Sequence, residues 1–132
     1  MILRYVYVGS SDIAHDIATW SDLPGASLRW RFQHFDADVA AVDLGSPPVV
    51  LLADHRPPGS ILPIFAVDAL EASVTAMEGD GWSVEERSFG TPEGPAALLR
   101  SPGGSQIALL QVDRPQAMEN AFEDADNTHA VR

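Results

Sequence analysis

The chain contains no cysteine and no lysine. The first absence excludes disulfides and thiolate metal sites and is compatible with a reducing compartment. The second leaves arginine as the only permanently cationic side chain, 8 residues against 19 Asp and Glu, for a net charge of −11. Such a surface repels nucleic-acid phosphates and anionic membranes at long range and attracts cations. Neither nucleic acid nor a membrane is therefore an expected partner. Long apolar runs are also missing: nothing approaches the ~20 residues of a membrane-spanning helix. The opening "MILRYVYVGSS" lacks the charged start, apolar core and small-residue cleavage site of a signal peptide. A cytoplasmic location is the expectation.

What is present is an ordinary folded composition. Of the 132 residues 45% are apolar, with 10 glycines and 10 prolines spread along the chain, enough for one core and many turns.

The chain repeats itself at one fixed offset. In "SSDIAHDIATW", Ile13, Ile17 and Trp20 have helical spacing behind a capping Ser11 or Asp12, and Leu70, Val74 and Met77 in "VDALEASVTAM" stand 57 positions later. Asp68 and Glu71 read as a capping box for the second helix. The same shift aligns "RYVYVGS" with "LPIFAVD", and "PPVVLLAD" with "SQIALLQV", so that Tyr5 matches Leu62, Phe32 matches Phe89, and Leu51 matches Ala108. Each half reads as strand, helix and three further strands. "SLRWRFQHF" alternates Leu28, Trp30 and Phe32 with polar residues, the period of a strand with one buried face, and "HRPPGS" is the seam between halves. "SPGGS" joins two strand-like runs, so Gly103 and Gly104 read as a two-residue hairpin turn. A phosphate loop would lead into a helix instead.

Two consecutive βαβββ modules closed by "SPGGSQIALLQ" resemble the vicinal oxygen chelate superfamily, which includes glyoxalase I, extradiol dioxygenases and bleomycin-binding resistance proteins. The resemblance covers residues 2 to about 113. It implies an α+β fold in which two βαβββ modules, 2–56 and 61–113, make a cupped mixed sheet with helices on the convex side. Residues 1–113 form a single domain, followed by an acidic tail, 114–132. In metal-dependent members each module supplies two ligands. Carried onto this chain those positions are Tyr5, Leu51, Leu62 and Ala108, and only Tyr5 bears a possible donor, a poor one. No metal and no other cofactor is therefore expected.

Side chains alternate along strands. Tyr5 and Tyr7 are expected on the concave face with Val49, Leu51 and Ala53, while Val6 and Val8 pack under a helix. From the second module Leu62, Ile64, Ala108 and Leu110 face inward. Trp30, Phe32 and His34 share one face of their strand, either that of the cup or that of the helices. A pocket so lined suits a small hydrophobic or cationic molecule. It resembles the drug-sequestering branch of the superfamily, although the first strand lacks the proline found in bleomycin-binding relatives. A homodimer is implied by the resemblance.

The rival reading is a metal-independent isomerase, lyase or cyclase, for which His34, His55, Tyr5 and Tyr7 are the acid-base groups near the cup. His55, just before "RPPG", reads as an ordinary surface residue, and no catalytic residue is assigned. A third reading is a vestigial pocket that serves only protein contacts. Glu85 and Glu86 point to opposite faces of one strand and do not form a catalytic pair. Trp82 reads as a cap on the core and His15 as exposed on the first helix. In the tail "QAMENAFEDA" suits a short helix, with disorder expected for the last several residues.

Overall fold

The structure is a computed structural model describing residues 1–34 and 36–132. Phe35, the expected last residue of the "SLRWRFQHF" strand, lies outside the described residues.

The fold is α+β: the described residues form eight strands in a mixed, open sheet and three helices. In chain order these are β1 (Ile2–Gly9), α1 (Ile13–Ser21), β2 (Ser27–His34), β3 (Ala37–Asp43) and β4 (Val49–Ala53). Then follow β5 (Ile61–Val67), α2 (Leu70–Gly79), β6 (Ser83–Thr91), β7 (Gly94–Arg100), β8 (Gln106–Gln111) and α3 (Ala117–Glu123). The chain divides into a first unit, Tyr5–Ile61 with Met118–Arg132, and a second, Met1–Arg4 with Leu62–Ala117.

In the first unit the strand order is β2-β3-β4-β1, with β1 and β4 parallel and the other pairs antiparallel. Helix α1 starts where Asp12 accepts a hydrogen bond from the His15 backbone N–H at 3.1 Å, satisfying one of the amides a helix start leaves unpaired. It packs Ile13, Ile17 and Trp20 onto Val8, Val42, Val50 and Leu52. Val42 and Leu52 are wholly shielded from water, and burial of each side chain is worth about 1.5–3 kcal/mol.

The second unit repeats this plan, with order β5-β8-β7-β6 and β5 parallel to β8. Its core places Leu70, Val74 and Met77 of α2 against Phe65, Val67, Ala97, Leu99, Ile107 and Leu109, with Trp82 and Val84 at the margin. The repeat extends to strand register. Tyr7 lies opposite Leu51, Ala41 opposite Leu51 and Phe32 opposite Val39. Shifted by 57 positions these become Ile64 opposite Ala108, Leu98 opposite Ala108 and Phe89 opposite Ala96.

Three local expectations are corrected. Asp68 and Glu71 form no capping box: the residue before α2 is Ala69, which has no side-chain cap. The Leu70 backbone N–H instead donates to Gln111 Oε1 on β8 at 2.9 Å, so a tertiary partner replaces the local one. The β7–β8 connection spans five residues, Ser101–Ser105, rather than two. Ser101 organises it, with its N–H bonded to Ser105 O at 2.9 Å and its Oγ accepting from the Ser105 N–H at 3.0 Å. The last residues are ordered: Ala130 bridges to Phe32, the Gln33 N–H donates to His129 O at 2.8 Å and the Val131 N–H to Arg31 O at 2.9 Å.

Candidate functional site

Each unit has one strand face under a helix and one turned away from it, and register decides which side chains go where. In the first unit Val8, Val42, Val50 and Leu52 lie under α1. Alternation along β1 and β4 therefore puts Tyr5, Tyr7, Val49, Leu51 and Ala53 on the opposite face. Trp30 pairs with Ala41, Phe32 with Val39 and His34 with Ala37, while Ala41 and Val39 pair with Leu51 and Ala53. Directly paired residues share a face. Trp30, Phe32 and His34 therefore lie on the face of Tyr5, Tyr7 and Leu51, away from α1, which decides the alternative left open by the sequence.

On that face Tyr5 and Trp30 are buried. The Trp30 and Phe32 rings are 5.5 Å apart, and Phe122 of α3 meets Phe32 edge-on at 5.8 Å. His34 is exposed, with its Nδ1 3.1 Å from His129 Nδ1 in the tail.

The polar centre of the unit lies at the far end of β1. Tyr7 Oη and His55 Nε2 share a hydrogen bond of 2.9 Å, their rings meeting edge-on at 5.6 Å. The Arg56 guanidinium stands 5.9 Å from the centre of the Tyr7 ring. Burial pushes the Tyr7 phenol up to about 12, opposed by the Arg56 charge and reinforced by Asp54. At neutral pH it is thus a fixed O–H, able to donate to His55 or to an oxygen of a bound molecule.

Backbone geometry delivers His55 to this position. The loop after β4 folds back so that Gly9 N–H donates to Ser60 O at 2.9 Å and Gly59 N–H to Gly9 O at 3.0 Å. Ser10 N–H donates to Ala53 O at 2.9 Å and Asp54 N–H to Asp38 O at 3.2 Å, pinning the start of the loop. Asp38 is anchored in turn by Arg31, at 2.9 and 2.7 Å, and by Gln33 at 3.0 Å. The Arg31 guanidinium holds the Asp38 carboxyl below its usual range, helped by the Gln33 hydrogen bond and resisted by burial.

In the second unit Phe65, Val67, Ile107 and Leu109 lie under α2, so Leu62, Ile64, Ala108 and Leu110 take the other face, with Ile64 opposite Ala108. Leu62, Ala108 and Leu110 are buried there and Ile64 half-buried.

The superfamily's metal can be tested against these residues. In the first unit the ligand positions hold Tyr5 and Leu51, in the second Leu62 and Ala108. A phenol and three hydrocarbon side chains do not fit a divalent ion, which needs several nitrogen or oxygen donors. Among the described residues no group of three or more His, Asp or Glu could hold a metal ion.

Sequence reasoning passed over Arg56 and Asp54; His55 is exposed, as its surface reading has it, and what that reading leaves out is its contact with Tyr7. The usable signal was Gly9 before "SS" together with the "RPPGS" turn, which mark a strand end meeting a returning loop. It also missed Glu93, whose buried carboxylate pairs with Arg4 and whose carbonyl accepts from Asp113 and Arg114 at 2.8 and 2.9 Å.

No family model matches the chain at the level of sequence, and no curated protein matches it significantly. Solved structures do match. A hypothetical protein from Bacillus halodurans C-125 is 11% identical, with 85% of this chain and 94% of that one covered and a TM-score of 0.72. Methylmalonyl-CoA epimerase from Mycobacterium tuberculosis is 20% identical over 87% of this chain and 90% of its own, at a TM-score of 0.68. A variant of the Streptomyces coelicolor methylmalonyl-CoA epimerase, bound to 2-nitronate-propionyl-CoA, is 9% identical over 86% and 99%, at a TM-score of 0.69. The chain has the vicinal oxygen chelate fold. At such identities the likeness fixes the architecture and leaves the chemistry to the residues. Within this fold the chain carries hydrocarbon at Leu51, Leu62 and Ala108 and the Tyr7–His55 pair. Among the described residues no helix is long and apolar enough to cross a membrane.

Proposed function

We propose that this protein binds a small hydrophobic organic molecule without using a metal, on the strand face that carries Tyr7, Leu51, Trp30 and Phe32, and that it acts by sequestering that molecule. The observation that carries the reading is the Tyr7–His55 hydrogen bond of 2.9 Å, a polar grip between a half-buried phenol and an exposed imidazole beside an otherwise apolar and aromatic floor. Ligand sites have this make-up: mostly hydrocarbon and rings, with a few placed polar groups that fix orientation. The net charge of −11 would draw a cationic ligand from solution. Arg56 beside Tyr7 sets against a cation at the phenol itself, so the ligand meets Tyr7 through a neutral oxygen or nitrogen. A homodimer is the setting that the family resemblance implies.

A second reading, a metal-independent isomerase, has one specific observation in its favour. A phenol held protonated and an imidazole in hydrogen-bond contact are a proton donor and a proton acceptor on one site, and two of the structural neighbours named above are epimerases.

The test is a panel of hydrophobic organic compounds, neutral and cationic, read by tryptophan fluorescence and melting temperature, with mass spectrometry of the recovered compound. Sequestration predicts saturable binding, an unchanged compound, and loss of affinity in Tyr7→Phe and His55→Ala. A chemically altered compound, with conversion abolished in His55→Ala, establishes the isomerase instead. No binding across the panel, with the variants indistinguishable from wild type, rejects both.

A further inference from the structure

The C-terminal segment covers the aromatic floor just described, and its attachment differs in kind from the packing beneath it. Helix α3 has seven residues and no buried side chain. A helix that short is not stable by itself in water, so its helicity depends on docking and on the ties within its own segment. Its contacts to the strand face are few: Phe122 edge-on to Phe32 at 5.8 Å, and Glu119 with Arg29 at 3.3 Å. Arg29 also pairs with Asp43 of β3, and that partner stays when the helix leaves. Beyond α3 the chain touches β2 through the bridge of Ala130 with Phe32, the flanking Gln33–His129 and Val131–Arg31 backbone bonds, and the exposed His34–His129 ring pair.

Within itself, by contrast, the segment is well tied. Asn127 Nδ2 donates to Ala121 O at 3.1 Å, the His129 N–H to Asn127 Oδ1 at 3.0 Å and Arg132 Nη2 to Asp124 O at 3.0 Å. Arg132 also lies over the Phe122 ring at 5.2 Å and donates to Phe122 O. The strands under it are of another order: Ala40, Ala41, Val42 and Leu52 are fully shielded. Segments with few buried apolar contacts and exposed hydrogen bonds open locally, well below the free energy of global unfolding.

We infer that residues 117–131 form a strap that undocks from the Trp30–Phe32 face in one piece while β1 to β4 stay folded. The strap thereby controls access of a small molecule to that face. The second half of this inference rests on the binding function proposed above; the first half does not.

Hydrogen exchange on the full-length chain, without ligand, tests the first half. The Gln33 and Val131 amides exchange at least about 100-fold faster than the amides of Ala40, Val42 and Leu52. Phe122→Ala accelerates both by roughly 5–30-fold and leaves the core amides unchanged. Val131→Pro, which removes the donor to Arg31, accelerates Gln33 in the same way. Exchange of Gln33 and Val131 at the rate of the core amides, or an equal acceleration of core amides in Phe122→Ala, overturns the strap. Gating is read separately by fluorescence of the apolar dye anilinonaphthalene sulfonate. A several-fold gain in Phe122→Ala supports it, and equal dye binding in wild type and variant overturns gating while the exchange result stands.

Discussion

The carbonyl oxygen of Pro57 occupies the space that a Cβ on Gly9 would fill, 2.0 Å from its ideal position. Contact this close is possible only for glycine, and it seats the 54–60 loop on the end of β1 and His55 on Tyr7. Replacement of Gly9 by alanine therefore forces the loop outward. We expect a loss of about 1–3 kcal/mol in urea unfolding, and loss of the Tyr7–His55 contact, seen as a changed His55 imidazole shift in NMR spectra.

Tyr7 makes stability depend on alkaline pH. Its folded phenol titrates at about 12 against an ordinary 10.0. The folded state favours the protonated form, so this contribution is complete below pH 10 and is lost as pH rises through 12. Two pH units correspond to at most about 2–3 kcal/mol. Urea midpoints of wild type and Tyr7→Phe measured between pH 9 and 12 should differ in slope, with the variant flatter. Parallel curves would show that the phenol is solvated.

Asp38 acts at the opposite end of the scale. Arg31 holds its carboxyl below the usual range, and Asp43 is lowered similarly by the Gly45 backbone N–H and by Arg29. A depressed carboxylate contributes stability above its ordinary value and loses that contribution as pH falls through the folded value. Asp38→Asn should cost about 1–3 kcal/mol at neutral pH, because Arg31, a half-buried cation, loses its partner. In acid the difference from wild type should shrink, which calorimetry across pH 2 to 7 would reveal.

Gln111 and Asp68 separate a tertiary cap from a local one. Removing the acceptor for Leu70 in Gln111→Ala should lower stability by about 0.5–2 kcal/mol. Asp68→Ala should leave the thermal midpoint nearly unchanged. The reverse order would restore the capping box that the sequence suggested.

Much of this architecture was legible in the sequence because a repeat reports on several elements together. Ile13 with Leu70 marks both helices, and Leu51 with Ala108 marks both closing strands, at one offset. What remained hidden was of two kinds. Trp30, Phe32 and His34 alternate correctly whichever way the strand faces, and only pairing with Val39 and Ala41 decides between the faces. Gln111 capping Leu70, and His55 reaching Tyr7 across 48 positions, are contacts between distant segments, to which neither periodicity nor local capping rules are sensitive. The tail was misjudged for a related reason: its acidic composition suggests solvent exposure, whereas its order comes from backbone pairing, which composition does not encode.

The two outermost strands are guarded differently. On β6 two breaks in register and the charged run Glu85, Glu86 and Arg87 spoil the template for another chain. On β2 the protection is residues 129–131 lying along the Arg31 to Gln33 backbone. Proteolytic clipping of those few residues would uncover unsatisfied amides and carbonyls beside an aromatic surface. Such a trimmed product should self-associate through edge-to-edge β pairing and precipitate on storage, so residues 129–131 also keep the protein dispersed.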